Sequence, residues 1–213
     1  MIHDYDRRYW FGASDARYIY GSHTTNSFRE WWMMKCGILG SNFHGNIYTK
    51  AGNVFEHSIL KAWNPDIQFD RQIIIPELRL RANLDGNTID EIIEVKTYQI
   101  NKTFRVTEDH YNQAQLQMLA WKLEPIIRFK DCQGCPELKS KNLPLRKHTI
   151  LAYGLYPDEY YAEYSKEQIE KGEIPIDYSR ILPFEISPSR SAQRRGRKTL
   201  LKLAKQLRKE EVR

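Results

Sequence analysis

The chain has 213 residues, of which 41% are hydrophobic and 12% aromatic, enough for one folded domain with a substantial core. No apolar run approaches the roughly 20 residues that a membrane-spanning helix needs, and the N-terminus lacks the apolar core of a signal peptide. Three cysteines are too few for a disulfide scaffold, so the composition predicts a cytoplasmic protein without membrane contact.

The net charge is +6 at pH 7, and the basic surplus lies at the C-terminal end of the chain. From Arg190 onward there are ten lysines and arginines against two glutamates, which leaves the remainder slightly acidic. Residues 188–212 also have the apolar stripe of a helix. The basic residues around such a stripe can be a solvated face, but one concentrated basic segment favours contact with a polyanion.

The first third of the chain predicts three helices. Ser14 or Asp15 can cap a short helix that follows paired arginines, and a helix N-terminus of this kind can bind phosphate. Apolar residues at helical spacing predict longer helices over 26–39 and 49–64. In the last of these, Glu56 lies among apolar positions, where a carboxylate is costly unless it is paired or binds a metal.

Strand-like runs over 67–75 and 78–84 then lead into a predicted β-hairpin. Asp85-Gly86 is a strong turn signal, and the next strand-like run starts at Ile89. We therefore expect Asp85 to lie at the turn. A helix followed by three short strands is typical of an α/β or α+β domain with a partly antiparallel sheet.

The last strand of this hairpin carries an acid and a base on one face. Side chains alternate across a strand, so Glu94 and Lys96 share a face while Val95 points to the other. At the expected turn, Asp85 is close enough to share a cation with Glu94. Two carboxylates and a lysine that converge in this way can hold Mg²⁺ and polarise a nucleophilic water. A pair of exposed cross-strand charges is the plain alternative.

The second half of the chain opens with an amphipathic helix predicted over 108–123. Its glutamines Gln113, Gln115 and Gln117 stand at alternate positions and cannot share one face, whereas Gln115 and Tyr111 can. An inward amide there can bond a phosphate or a catalytic carboxylate. Further on, the pattern predicts a strand over 148–156 in a hairpin with 160–164, a short helix over 165–172 and a loop over 173–187.

Two cysteines have the Cys-x-x-Cys spacing of a metal knuckle, Cys132 and Cys135. Two ligands do not complete a zinc site, so Cys36, His110 or His148 would have to join them. A simple reduced loop is the other interpretation. With three cysteines in the chain, an all-cysteine iron–sulfur cluster is disfavoured.

Five short motifs in this order resemble those of the PD-(D/E)XK nucleases, in the branch of lambda exonuclease and the YqaJ-type viral recombination nucleases. They are GASDA at 12–16, AGNVFEHSIL at 51–60, ANLDG at 82–86, EVK at 94–96 and QAQLQ at 113–117. The resemblance implies a restriction-endonuclease-like core with a mixed central β-sheet flanked by helices. Its domain would span 1–187, with the Cys-x-x-Cys loop at about 131–148, and 188–213 would be a basic C-terminal helix.

The resemblance also implies a role for each charged residue of the hairpin. Asp85 and Glu94 would bind Mg²⁺ or Mn²⁺ together with the backbone carbonyl of Val95, and Glu56 would complete the acidic shell. Lys96 would lower the pKa of the attacking water and stabilise the charged phosphorane. The implied reaction is metal-dependent hydrolysis of a DNA phosphodiester. Carboxylate and water ligands favour these hard cations over zinc.

Further positions are implied to contact DNA. Gln115 aligns with the helix glutamine that the family places near the substrate phosphate, and Tyr111 lies one turn away. Arg7 and Ser14 fall where exonucleases of this branch hold a terminal 5′-phosphate. Asn83 stands at the third position of that pocket, where the family has a serine, and this departure leaves the selection of a 5′-phosphate open.

The implied activity is that of an exonuclease acting on DNA ends in viral recombination or replication, in the host cytoplasm. A single-strand annealing protein and further copies of the chain are the candidate protein partners. One alternative is a RecB-like, CRISPR-associated endonuclease for single-stranded DNA. Such nucleases hold an iron–sulfur cluster with one cysteine before the motifs and three after them, and Cys36, Cys132 and Cys135 are an incomplete version of that pattern. The other is an inactive DNA-binding module, although unpaired acids in a DNA groove repel phosphate unless a metal offsets them.

Overall fold

A mixed six-stranded β-sheet lies at the centre of the computed structural model, which describes residues 8–40, 46–124, 145 and 147–211. The strands are β1 (Phe11–Gly12), β2 (Gln68–Ile75), β3 (Leu80–Asn87), β4 (Glu91–Gln99), β5 (Lys147–Leu155) and β6 (Ile181–Ile186). The helices are α1 (Ala16–Tyr20), α2 (Asn26–Lys35), α3 (Ile47–Trp63), α4 (Glu108–Leu123), α5 (Lys166–Lys171) and α6 (Arg190–Glu211). The predicted fold class, a mixed sheet flanked by helices, is therefore confirmed.

Strand β3 has different neighbours along its two edges. On one edge it pairs antiparallel with β2 over most of its length. On the other edge, β1 pairs in parallel with Leu80 and Arg81, and β4 pairs antiparallel with Gly86 and Asn87. Between these partners, over residues 82–85, no strand of the described part of the chain lies beside this edge of β3. The sheet forks at this point.

Strands β4, β5 and β6 form the regular half of the sheet. β4 and β5 are parallel along the nine residues of each strand. Parallel neighbours need a long crossover connection, and α4 lies within it. β6 pairs antiparallel with β5 at the edge of the sheet, where Pro183 is tolerated because an edge strand can lack one N–H.

The two faces of the sheet are covered by different helices. Ile92 and Ile150 pack in one core with α1, α2, α4 and α6, whereas Ile93 and Leu151 pack in a second core with α3. This division follows from the opposite directions of successive side chains in a strand. Helices α3 and α4 therefore approach the fork in the sheet from opposite faces.

Helix α6 is built into the first core by its apolar stripe. Leu200, Leu203 and Leu207 are at most 1% exposed, and burying a leucine stabilises a fold by about 2 kcal/mol. Its exposed side carries nine basic residues, Arg190, Arg194, Arg195, Arg197, Lys198, Lys202, Lys205, Arg208 and Lys209. None of the described helices, α6 included, is long and apolar enough to cross a membrane.

The hairpin turn begins after Asn87 and not at Asp85-Gly86, as the sequence predicts. β3 continues through both residues. A Cβ atom on Gly86 would lie only 2.8 Å from the side chains of Leu60 and Ile67. Glycine is thus required here by close packing within a strand, which a short sequence pattern cannot distinguish from a turn.

Two further predictions of secondary structure are wrong. Residues 160–164 do not form a strand, because the chain from Asp158 to Tyr161 is a 3-10 helix. The antiparallel partner of β5 is instead β6, which lies inside the predicted loop over 173–187. Pro183 and a run of partly or fully exposed side chains from Leu182 to Glu185 give β6 only a weak strand pattern.

Candidate active site

Residues of the fork line a cleft with a volume of about 360 Å³. Helix α3 contributes Glu56, strand β3 contributes Asp85, and strand β4 contributes Glu94 and Lys96. The amphipathic pattern of α3 buries Phe55 and leaves Glu56 half-buried at the edge of the core. The structure therefore brings together the four charged residues to which the motifs assign the chemistry.

Asp85 lies where β3 and β4 separate. From the pair Gly86↔Ile93, the next hydrogen-bonded pair of a regular antiparallel ladder would be Leu84 with Val95. The Asp85 carboxylate takes the place of that bond, because it accepts the Val95 N–H at 2.8 Å. The Val95 carbonyl consequently stays outside the pairing between β3 and β4.

A residue that the sequence does not single out, Asp70, lies opposite Asp85 in the register of β2 and β3. The two strands pair on both sides of this point, but these two aspartates do not pair. Asp70 has a φ of 56°, in the left-handed region that few residues other than glycine adopt. Such a conformation costs roughly 1–3 kcal/mol and is typical of functional sites.

Asp70 holds His57 in a fixed position beside the acidic residues. The Asp70 carboxylate lies 3.1 Å from Nε2 of His57, whose Nδ1 lies 3.1 Å from the Glu170 carbonyl. The hydrogen bond to Asp70 raises the pKa of His57 in spite of burial. One candidate ligand atom each from Glu56, His57 and Asp70 lies within 4.8 Å of the others.

Glu94 is buried and well supplied with hydrogen-bond donors. Its Oε1 accepts from Nζ of Lys96 at 2.5 Å and from Nε2 of Gln113 at 2.6 Å. Its Oε2 accepts from Nε2 of Gln117 at 2.7 Å. Burial alone would raise the pKa of Glu94, but Lys96 and Gln117 outweigh it and lower the pKa below its ordinary value. Glu94 is therefore ionised at neutral pH.

The two other carboxylates of the cluster are less well compensated. Burial and the negative charges of Glu56 and Glu94 raise the pKa of Asp85 well above its ordinary value. Burial and the charge of Glu94 likewise raise the pKa of Glu56 to about 7. Three carboxylates surround a single ammonium group, so the cluster has more negative charge than Lys96 neutralises.

Lys96 is held as a cation. Burial lowers the pKa of its ammonium group, but the charges of Glu94 and Asp85 overcome this effect and raise the pKa to about 12. At neutral pH Lys96 is therefore a fixed positive charge in the cleft and not a group that removes protons from water.

The donor set of the cluster fits a hard divalent cation. Carboxylate oxygens of Glu56, Asp85 and Glu94 and the backbone carbonyl of Val95 are the kinds of ligand that Mg²⁺ and Mn²⁺ prefer. A bound cation would also neutralise the excess charge that raises the pKa of Asp85 and of Glu56.

The cleft also has a polar and basic wall. The predicted phosphate-binding residues Ser14 and Asn83 are exposed and line it, whereas Arg7 lies outside the described residues. Three further residues of this wall that the motifs do not indicate are Trp10, Lys35 and Arg81. The Arg81 guanidinium lies 5.4 Å from the centre of the Trp10 ring, which fixes a cation at the edge of the cleft.

Helix α4 turns Gln113 and Gln117, rather than Gln115, toward Glu94. Residues four apart share a face of a helix, so the two outer glutamines act together. Gln115 is fully buried and bonds the backbone just before α6. Tyr111 packs against the first core and does not line the cleft.

The Cys-x-x-Cys pair, Cys132 and Cys135, lies outside the described residues. Of the additional ligands considered for a zinc site, Cys36 is buried and His148 is buried against Gln117. The predicted structural zinc site stays a prediction.

Comparisons with known proteins place this geometry in context. No protein-family model matches the sequence, and no curated protein matches it. The alkaline exonuclease LHK-Exo from Laribacter hongkongensis has a similar structure, with a TM-score of 0.59 and 14% identity over 96% of this chain and 90% of that chain. Its complex with dAMP gives the same TM-score with 12% identity over the same shares.

A phage-related exonuclease from Haemophilus somnus 129PT is also similar, with a TM-score of 0.54 and 15% identity over 95% of this chain and 96% of that chain. The chain has the fold of these exonucleases. The fold that the sequence motifs imply is therefore confirmed, and it extends well beyond the part of the chain that carries the motifs.

Proposed function

We propose that this protein is a Mg²⁺- or Mn²⁺-dependent deoxyribonuclease, and specifically an exonuclease that acts on DNA ends. The observation that carries the proposal is the convergence of Asp85, Glu94 and Lys96 at the fork, with Glu56 beside them in the same cleft. The fold shared with LHK-Exo and with the phage-related exonuclease supports it. The phage-related neighbour also favours a role in viral recombination, and the motif resemblance adds a single-strand annealing protein as the expected partner.

Each residue of the cluster has a task in this proposal. Asp85, Glu94 and the Val95 carbonyl would hold the cation, and Glu56 would complete its acidic shell. When bound, the cation supplies the Lewis acidity that activates water and stabilises the charge on the phosphate. Lys96 stays protonated and places a second positive charge beside the reacting phosphate.

The polar wall of the cleft would bind the nucleotide next to the cleaved bond. Ser14 and Asn83 offer hydrogen bonds, and Arg81 offers a guanidinium that suits a phosphate. LHK-Exo binds dAMP, the kind of nucleotide that an exonuclease releases. The shared fold supports a terminal nucleotide as the ligand of this wall in the present protein.

The decisive experiment offers the purified protein two substrates, linear DNA with a 5′-phosphate and circular single-stranded DNA, with Mg²⁺ or with EDTA. We expect degradation of the linear DNA only, and loss of activity with EDTA and in Lys96→Ala. Lys102→Ala, which removes an exposed lysine elsewhere, is the matched control. Cleavage of the circle would favour the RecB-like endonuclease. If neither substrate is cleaved in a metal-dependent way, the protein is instead an inactive DNA-binding module.

We also propose that the exposed face of α6 binds the DNA backbone. Arg190, Arg194, Lys198 and Lys202 follow one another at intervals of four residues, so they form a row about 18 Å long. Like charges at this spacing destabilise a helix, and a polyanion that neutralises them is the fitting partner.

The proposed contact between this row and the DNA backbone can be tested by measuring how the affinity for duplex DNA in EDTA depends on salt concentration. Replacing its four residues by glutamine should reduce the slope of log affinity against log salt by about 3 to 4, because each phosphate contact contributes roughly 0.9. The control replaces four exposed lysines outside α6, Lys102, Lys122, Lys166 and Lys171. Equal slopes for the two quadruple variants would contradict a specific role for α6.

A further inference from the structure

His148 is a buried polar residue that the proposed chemistry does not use. It lies near the start of β5, opposite Ile92 of β4, and is 0% exposed. It does not line the cleft. Its Nε2 lies 2.6 Å from Oε1 of Gln117, and its Nδ1 is buried with no hydrogen-bond partner in the described part of the chain.

The hydrogen bonds of Gln117 fix which of its amide atoms faces His148. The Gln117 Nε2 donates to Oε2 of Glu94 at 2.7 Å and to the Asn83 carbonyl at 3.1 Å. Both partners are acceptors only, since Glu94 is ionised. The amide oxygen must therefore point toward His148, and only a hydrogen on Nε2 of His148 can complete this bond.

The surroundings of His148 agree with this protonation state. Burial is the main cause that lowers the pKa of its imidazole to about 4, so the ring is neutral at physiological pH. A neutral ring carries one hydrogen. With that hydrogen on Nε2, the Nδ1 atom is an acceptor, which is the atom without a partner.

We propose that His148 is a positioning residue, whose Nε2–H holds the Gln117 amide in the one orientation that donates to both Glu94 and the Asn83 carbonyl. Without that donor, the Gln117 oxygen is unsatisfied and the amide can rotate by 180°. An oxygen would then face the Glu94 carboxylate and repel it. His148 thus acts on the site through Gln117, at both sides of the fork, because Glu94 belongs to β4 and Asn83 to β3.

The kinetic test of this inference rests on the proposed nuclease function, because it measures DNA cleavage. His148→Leu keeps the site apolar but removes the donor, whereas His148→Gln keeps an N–H near the position of Nε2. We expect His148→Leu to lower kcat by about 10- to 100-fold and to weaken activation by Mg²⁺, as is usual for residues that orient metal ligands. KM for DNA should change little, and His148→Gln should recover most of the activity.

A matched control is Thr149→Val, which removes the neighbouring buried hydroxyl and its bond to Glu91 but no bond of the cluster. It should retain wild-type kcat. Equal losses in His148→Leu and His148→Gln, or wild-type activity in His148→Leu, would overturn the positioning role.

A second measurement needs no nuclease activity and no variant. In the wild-type protein with ¹⁵N-labelled histidine, the ring nitrogen shifts report the tautomer. We expect His148 to be neutral with its hydrogen on Nε2 from pH 5 to pH 8. A hydrogen on Nδ1, or an imidazolium at pH 7, would refute the inference even if the protein cleaves DNA. The expected tautomer in a protein that cleaves no DNA would refute the proposed function alone.

Discussion

Glu94, Asp85 and Glu56 lie in one cleft, yet their surroundings shift their pKa values in opposite directions. Glu94 receives three side-chain donors, two of them from α4, and its pKa is lowered. Burial and the negative charge of Glu94 raise the pKa of both Asp85 and Glu56. Of the three proposed ligands, Glu94 is thus held in place without a cation, whereas Asp85 and Glu56 carry charges that a cation would neutralise.

The largest effect expected from this contrast is on activity and stability together. Asp85→Asn and Glu94→Gln should each lower the rate of DNA cleavage by about 1,000-fold, because each removes a ligand charge from the cation. In EDTA their stabilities should diverge. Asp85→Asn should raise the free energy of unfolding by about 1 kcal/mol, since it removes a repelled charge. Glu94→Gln should lower it by about 3 kcal/mol, since it leaves Lys96 without its main partner.

Urea denaturation in EDTA at pH 8 measures both changes in stability, with Glu163→Gln, an exposed carboxylate, as the control. If Asp85→Asn and Glu94→Gln change the free energy of unfolding in the same direction, the contrast between a repelled Asp85 and a compensated Glu94 is wrong.

The next effect concerns the pH dependence of the metal-free protein. Because the pKa of Glu56 is raised from 4.5 to about 7, the folded state holds this proton more tightly than the unfolded state does. The contribution of Glu56 to stability is therefore present below pH 4.5 and is lost as the pH rises to about 7, by about 3 kcal/mol.

Thermal or urea unfolding between pH 4.5 and pH 7.5, with EDTA, compares wild type with Glu56→Gln. The variant should lack this loss, and so the difference in stability between the two proteins should grow with pH. Saturating Mn²⁺ should flatten the wild-type curve, because a bound cation favours the ionised carboxylate. A constant difference across this range would contradict the raised pKa.

The smallest expected effect is a difference in kcat and stability between variants of Gln113 and Gln115 in α4. Gln113→Ala removes one donor to Glu94 and should lower kcat by about tenfold with a change in stability below about 1 kcal/mol. Gln115→Ala leaves buried backbone groups before α6 unsatisfied and should cost about 2 kcal/mol of stability without a change in kcat. A greater loss of kcat in Gln115→Ala would restore the assignment that the sequence motif suggests.

Sequence patterns predict the parts of this fold that are governed by local periodicity. The helices α3, α4 and α6 agree with their predicted ranges to within a few residues, and Asp85, Glu94, Lys96 and Glu56 meet as the motifs imply. The motifs predict this convergence because they consist of residues that meet in space, and the segments between them need not be known.

The features that sequence does not reveal depend on contacts made across the fold. Gly86 looks like a turn residue because its close packing against α3 has no local signature. Asp70 looks like an ordinary strand residue, since neither its positive φ nor the interruption in the pairing of β2 and β3 has a local signature. Gln113 and Gln115 cannot be distinguished until the rotation of α4 against the sheet is known.

The fork also has a consequence for when the site exists during synthesis. β3 and β4 are neighbours in the chain but share only two residue pairs, whereas β4 gains its long pairing from β5, beyond the crossover. Contacts between residues distant in sequence form late. A nascent chain on the ribosome that has not yet released β5 therefore carries Glu56, Asp85 and Glu94 without the framework that holds them together. The proposed nuclease activity would appear only once most of the polypeptide has been made.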